Sequence, residues 1–84
     1  AARGMTARPD PARPVKHSLT LHGHRTSVTL EAPFWDAFRR IAAQDGLSLN
    51  ALAERIDDRR GDRGLASAIR VHVLARLTLR ADSR

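Results

Sequence analysis

The sequence predicts a mainly α fold, with a short β ribbon ahead of three helices, on three observations. Side chains alternate polar and apolar from Val15 to Leu30. From Ala32 the apolar positions recur at helical spacing. Gly46 and Ser48 then punctuate the chain as the end of one helix and the start of another.

Residues 1–14, "AARGMTARPDPARP", hold three of the four prolines and no large aliphatic side chain except Met5. Such a segment cannot bury enough apolar surface to order itself and predicts a disordered basic arm, with Met5 as the native start. The expected domain is 15–81, with a tail at 82–84.

In "VKHSLTLHGHRTSVTL", residues 15–30, the alternation runs on both sides of Gly23. A two-residue loop at Gly23-His24, glycine first as a type II′ turn prefers, sets His22 opposite Arg25 and Leu19 opposite Val28. Leu19, Leu21, Val28 and Leu30 then share one face. Ser18, Thr20, His22, Arg25, Ser27 and Thr29 share the other. The pattern gives strand character to both segments and leaves open whether they pair within one chain.

Phe34, Phe38, Ile41 and Ala42 follow at i, i+4, i+7 and i+8, the stripe of a first helix. Pro33 suits its first turn, Asp36 complements its N-terminal dipole, and Gly46 suits a left-handed stop. Trp35, one step off the stripe, is expected to pack on a neighbouring element. Ser48 is a good N-cap for "SLNALAERIDDRR", with Leu47 stapled against Leu52 and a buried face of Leu49, Leu52, Ala53 and Ile56. After the break "GDRG" a third helix, roughly 65–80, offers Leu65, Ile69, Val73 and Leu77 to a core. Alternation in "RVHVLARLTL" leaves strand as an alternative for part of it.

Composition narrows the function. A chain of 84 residues buries only about 60% of its unfolded surface, so a partner subunit is the expected source of further core. Without cysteine there are no disulfides and no thiolate metal sites. Lys and Arg number 15 against 9 Asp and Glu, a net charge of +6, and all but Lys16 are arginine, the side chain suited to phosphate and guanine edges. A GC-rich genome also favours arginine over lysine, but does not explain the positive sum. "LASAIRVHVLARLTL" carries Arg70, His72 and Arg76 and is too short and too charged to cross a bilayer.

With these elements in place, "HRTSVTLEAPFWDAFRRIAAQDGLSLNALAERI", residues 24–56, resembles the ribbon-helix-helix family of DNA-binding proteins, closest to a small bacterial subgroup with "GHRTSV" before the first helix and a third helix after the second. The resemblance rests on the alternating strand, the helix ending at "QDG" and "LSLNALAERI" opening the next. It implies a β-α-α unit with an extra C-terminal helix in an intertwined homodimer, whose two strands form a ribbon for the DNA major groove. Carried over by position, Arg25, Ser27 and Thr29 contact bases. Ser48, Leu49 and Asn50 present helix N–H groups to phosphate. Val28, Leu30, Phe34, Phe38, Ile41, Leu52 and Ile56 form the dimer core. Residues 15–22 are a departure, since a strand there beside the ribbon would broaden it beyond the groove.

Residue chemistry agrees: arginine can donate twice to guanine, and serine and threonine suit several base edges. By residue type alone, Arg25, Ser27 and Thr29 are a solvated strand face; the resemblance turns them into a reading face. Arg3, Arg8, Arg13 and Lys16 against Asp10 leave +3 over residues 1–16, and Arg13 and Lys16 are expected on phosphates. His17, His22 and His24 sit at a turn, and no metal or cofactor is expected. No nucleophile, base and orienter can be assembled, so no enzyme and no small-molecule substrate is expected. The expected protein is a cytoplasmic, nucleoid-associated bacterial regulator that binds double-stranded DNA as a homodimer. An adaptor or antitoxin-like interaction module on the same scaffold is the alternative.

Overall fold

A computed structural model describes the backbone of residues 13–82 and side chains to residue 79. Strands β1 (Pro14–Leu21) and β2 (His24–Glu31) form an antiparallel hairpin, followed by α1 (Ala32–Gln44), α2 (Leu49–Arg59) and α3 (Leu65–Asp82). Pro14, assigned to the arm by sequence, opens β1, where a missing N–H is tolerated at a first strand residue. Asp82, assigned to the tail, ends α3. The rest of the predicted arm, residues 1–12, lies outside the described residues.

The two strands do pair within the chain, but around a different turn. His22 and Gly23, with φ of 51° and 81°, are the loop residues, and Leu21 lies opposite His24. Positive φ at both positions is the signature of a type I′ turn, whose twist matches that of the flanking strands. The expected Gly23-His24 loop is thus corrected by one residue and the register by two, so that Leu19 faces Thr26 and His17 faces Val28. His22 leaves the polar face for the turn. A two-residue slip keeps every other side chain on its own face. Leu19, Leu21, Val28 and Leu30 are therefore all buried, as the alternation required.

That apolar face is covered by the helices. From α1 come Trp35, Phe38, Ile41 and Ala42, from α2 Leu52, Ala53 and Ile56, and from α3 Ala68, Ile69 and Val73. The α1 stripe is rotated by one residue from expectation: Trp35 is buried and Phe34 only half-buried. The reason is β1. Trp35 Nε1 donates to the Val15 carbonyl at 2.9 Å, and the His17 ring meets the indole edge-on at 4.8 Å. Phe34 instead has the Arg70 guanidinium 5.7 Å above its ring. Asp36 falls beyond the first turn of α1, where the dipole has faded, and its ion pair at 3.7 Å is with Arg39.

Gly46, at φ 70°, closes α1 as expected. Leu47 N–H reaches back to the Ala42 carbonyl at 2.9 Å and Gly46 N–H to that of Ala43 at 3.1 Å, the paired bonds of a Schellman stop. Ser48 Oγ then accepts the Ala51 N–H at 3.0 Å and starts α2. Leu49, expected in the core, is half-buried on the edge of the α2 face.

The whole of 65–82 is helical, so the strand alternative for α3 is excluded. Leu77 is 50% exposed rather than in the core, and Val71, Leu74 and Leu79 are exposed with it. Two arginines tie α3 down. Arg76 clamps the Asp45 carboxylate bidentately at 2.8 and 3.0 Å, and Arg70 bonds Glu31 at 3.0 Å.

The burial pattern separates two leucines of equal size. Leu30→Ala should cost about 2–5 kcal/mol as a core truncation, whereas Leu77→Ala should stay within about 0.5 kcal/mol. Urea unfolding of both variants checks this order.

Candidate nucleic-acid interface

The hairpin's second face carries Lys16, Ser18 and Thr20 from β1 and Arg25, Ser27 and Thr29 from β2. Lys16 pairs across the strands with Thr29, Ser18 with Ser27 and Thr20 with Arg25. All are exposed except Thr29, which is half-buried. Alternation forces this arrangement: once Leu19, Leu21, Val28 and Leu30 turn toward the helices, the intervening side chains must turn away. The three predicted base-contacting residues thus share one surface, joined from β1 by Lys16, expected on phosphate, and by Ser18 and Thr20, which have no role assigned from sequence.

The two edges of the ribbon differ. On β1 the outward Thr20 N–H donates to Asn50 Oδ1 at 3.1 Å, and beside it the turn N–H of His22 donates to Glu54 Oε2 at 2.8 Å. His22 Nε2 lies 3.0 Å from Asp58 Oδ1. One side of α2 therefore caps the turn end of the β1 edge at Thr20 and supports the left-handed His22. Asn50, assigned to phosphate from sequence, spends its side chain on this contact; only its backbone remains for an anion. Asn50 and Glu54 stand one helical turn apart, the spacing that lets both reach the same strand, but nothing local indicates which strand. On β2 the Thr29 carbonyl accepts a long bond, 3.4 Å, from Arg70 Nη2. The outward backbone of Arg25 and Ser27 has no partner among the described residues.

The Asn50–Thr20 bond sets the start of α2 beside the ribbon. Ser48 Oγ satisfies the Ala51 N–H, while the N–H groups of Leu49 and Asn50 have no protein acceptor among the described residues. Unpaired N–H donors at the positive end of a helix favour a nearby negative charge. Lys16 lies on the polar face, and Arg13 directly precedes β1.

A model of the ribbon-helix-helix domain matches residues 14–77, the hairpin through most of α3. The chain belongs to the ribbon-helix-helix family. Members of this family are usually DNA-binding regulators or antitoxins and are typically not enzymes. The chain is also similar to the solved structure of an uncharacterized protein from Bordetella pertussis Tohama I. The two are 36% identical, with a TM-score of 0.76, over 99% of this chain and 72% of that one. No curated protein matches the chain.

On this ribbon-helix-helix scaffold the three turn-region histidines part company. His17 packs on Trp35, His24 begins β2, and only His22 approaches carboxylates. His22, Asp57 and Asp58 bring potential ligand atoms within 4.8 Å of one another. Asp57 is already bonded by Arg60 Nε at 2.6 Å and Asp58 by His22, so the group is internally paired. No helix among the described residues is long and apolar enough to cross a membrane.

Carboxylates at the helix junctions are held ionised. Glu31, at the N-cap of α1, titrates below the usual carboxylate range because of its backbone hydrogen bond and then Arg70. Arg76 lowers Asp45 in the same way. His72 on α3 is shifted down chiefly by burial, with Arg76 and Arg59 adding repulsion against a weaker pull from Asp45. The fold therefore favours neutral His72. As pH falls through the ordinary imidazole value of 6.5, the unfolded chain takes up this proton first. His72 stability is complete above that value and is lost below it, whereas the carboxylates act only at lower pH. Unfolding free energy should drop between pH 7 and 5, and His72→Gln should flatten this drop. Urea titrations across that range test it, and an unchanged slope would contradict it.

Proposed function

We propose that the chain is a sequence-specific DNA-binding protein, a bacterial transcriptional regulator, that lays its hairpin in the major groove. One observation carries this reading: a two-stranded ribbon with six polar side chains on a face that no helix covers. A groove about 12 Å wide admits a two-stranded ribbon. The resemblance implied a ribbon with one strand from each of two subunits, but here β1 supplies the second strand. Pairing β2 with β2 of another subunit would give four strands, about 14 Å between the outer strand axes, too broad to enter flat. Swinging β1 away would expose Leu19 and Leu21 and break the Trp35, Asn50 and Glu54 bonds. The single-chain hairpin is the better reading head.

In this mode Arg25 donates to guanine O6 and N7, while Ser27 and Thr29, with Thr20 and Ser18 opposite, meet neighbouring base edges. Leu49 and Asn50 N–H groups hold a flanking phosphate beside Ser48, and Arg13 and Lys16 follow the backbone. A homodimer would set two such hairpins on successive half-sites, with Val28, Leu30, Phe34, Phe38, Ile41, Leu52 and Ile56 kept between each subunit's own sheet and helices. Such a protein works in the cytoplasm, on the nucleoid. An antitoxin-like interaction module is the second reading, favoured by the exposed leucines of α3.

Arg25→Ala should leave stability within about 0.5 kcal/mol and cost about 1–3 kcal/mol on the best site, with less loss on random duplex. Binding of parent and variant to both duplexes, with salt titrated, decides it. Equal affinity on the best site would remove the hairpin as reading head.

A further inference from the structure

Behind the ribbon, the cleft between α2 and α3 opens a cavity of about 450 Å³, within the size range of small-molecule pockets. Its wall is a concentration of cations, Arg55, Arg59, Arg60, Arg63 and Arg76, with the His72 imidazole among them. The spacing explains the convergence. Positions 52, 55, 56 and 59 make one stripe of α2, which Arg63 extends in the following loop, and 68, 72, 75 and 76 make the facing stripe of α3. Apolar Leu52, Ile56 and Ala68 line the same cavity.

The cations are only partly spoken for. Arg76 is held by Asp45, and Arg60 by Asp57 and the Arg63 carbonyl. Arg55, Arg59 and Arg63 have no carboxylate partner within 4.0 Å among the described residues. Three unneutralised guanidiniums around one concavity repel one another, and a bound oxyanion relieves that repulsion. Independently, His72 Nε2 is buried at this cavity with no hydrogen-bond partner. An orphaned polar atom on a cationic wall is a binding group awaiting an acceptor or donor.

We propose that the α2–α3 cleft binds a small organic phosphate of about nucleotide size. Its oxyanions are held by Arg55, Arg59 and Arg63, His72 Nε2 completes the polar contact, and its apolar moiety rests on Leu52, Ile56 and Ala68. Guanidinium forks match phosphoryl oxygens in geometry and charge. A ligand here touches both helices, and the same α2 bonds the hairpin at Thr20 and His22 through Asn50 and Glu54.

The test is calorimetric titration of the full chain with ATP, with inorganic phosphate, and with a short duplex. The variants are Arg55→Ala/Arg59→Ala, Arg63→Ala, and as a control Lys16→Ala/Arg25→Ala on the ribbon. All these side chains are exposed or lie on loops and strands outside the core, and melting curves verify the fold. ATP should bind the parent more tightly than phosphate does. The cleft double variant should weaken ATP by at least about tenfold, the loss of charge-assisted bonds, with Arg63→Ala weakening it less and the ribbon control leaving it unchanged. ATP should also move the His72 imidazole resonances and leave those of Ser27 in place. Absent ATP binding, or equal weakening by cleft and ribbon variants, would overturn the proposal. So would a cleft variant that loses duplex affinity alone, which would make the cleft's anion a DNA phosphate.

Discussion

Everything in this fold hangs on how β1 pairs with β2. Sixteen residues in one antiparallel register put Leu19, Leu21, Val28 and Leu30 on one face, and that apolar face is the floor on which three helices assemble. No helix here buries its face without it. Apolar burial of this kind is the dominant favourable term for a chain this short. The same register forces Lys16, Ser18, Thr20, Arg25, Ser27 and Thr29 outward. A polar, solvent-facing surface on one side and core on the other are two consequences of one alternation.

The fold was legible wherever the decisive signal was local. The period change at Ala32, the glycine stop at 46 and the Ser48 cap depend on neighbours within one helical turn, and the structure has all three. The turn was misplaced because either loop position keeps the same side chains on the same faces, so the hydrophobic pattern cannot separate registers two residues apart. What separates them is remote in sequence: Glu54 and Asp58 support a left-handed His22 from 32 and 36 residues away. Trp35 displaces Phe34 from the core for a related reason. A second strand gives the indole N–H an acceptor at Val15, and an amphipathic stripe read from one helix cannot register it.

Of the candidate site, the sharing of one face by Arg25, Ser27 and Thr29 could be read from period two alone. Alternation also put Ser18 and Thr20 on that face, but it could not show that they pair with β2 within one chain, and the use of Asn50 on the strand edge is a tertiary contact. The arginine cleft was illegible for the same reason. Along the chain, Arg55, Arg59 and Arg60 look like a solvated helix end, and only the packing of α3 against α2 makes a concavity of them. The two surfaces divide the excess of positive charge between the ribbon and the cleft of α2 and α3, with α2 contributing to both.

The in-chain hairpin is the point from which the core, the polar face and the α2 contact at Thr20 all follow, and cross-linking tests it most directly. Thr20 sends its N–H outward to Asn50, so Ser18 and Ser27, two pairs along and directly opposite each other, form a pair of the same, non-hydrogen-bonded kind. Such pairs have Cα atoms about 4.5 Å apart, within disulfide range. A Ser18→Cys/Ser27→Cys variant, oxidised at low protein concentration and run on a non-reducing denaturing gel, should close on itself and migrate as a single chain. Disulfide-linked dimers as the main product would contradict the in-chain hairpin and place the second strand of the ribbon in another subunit.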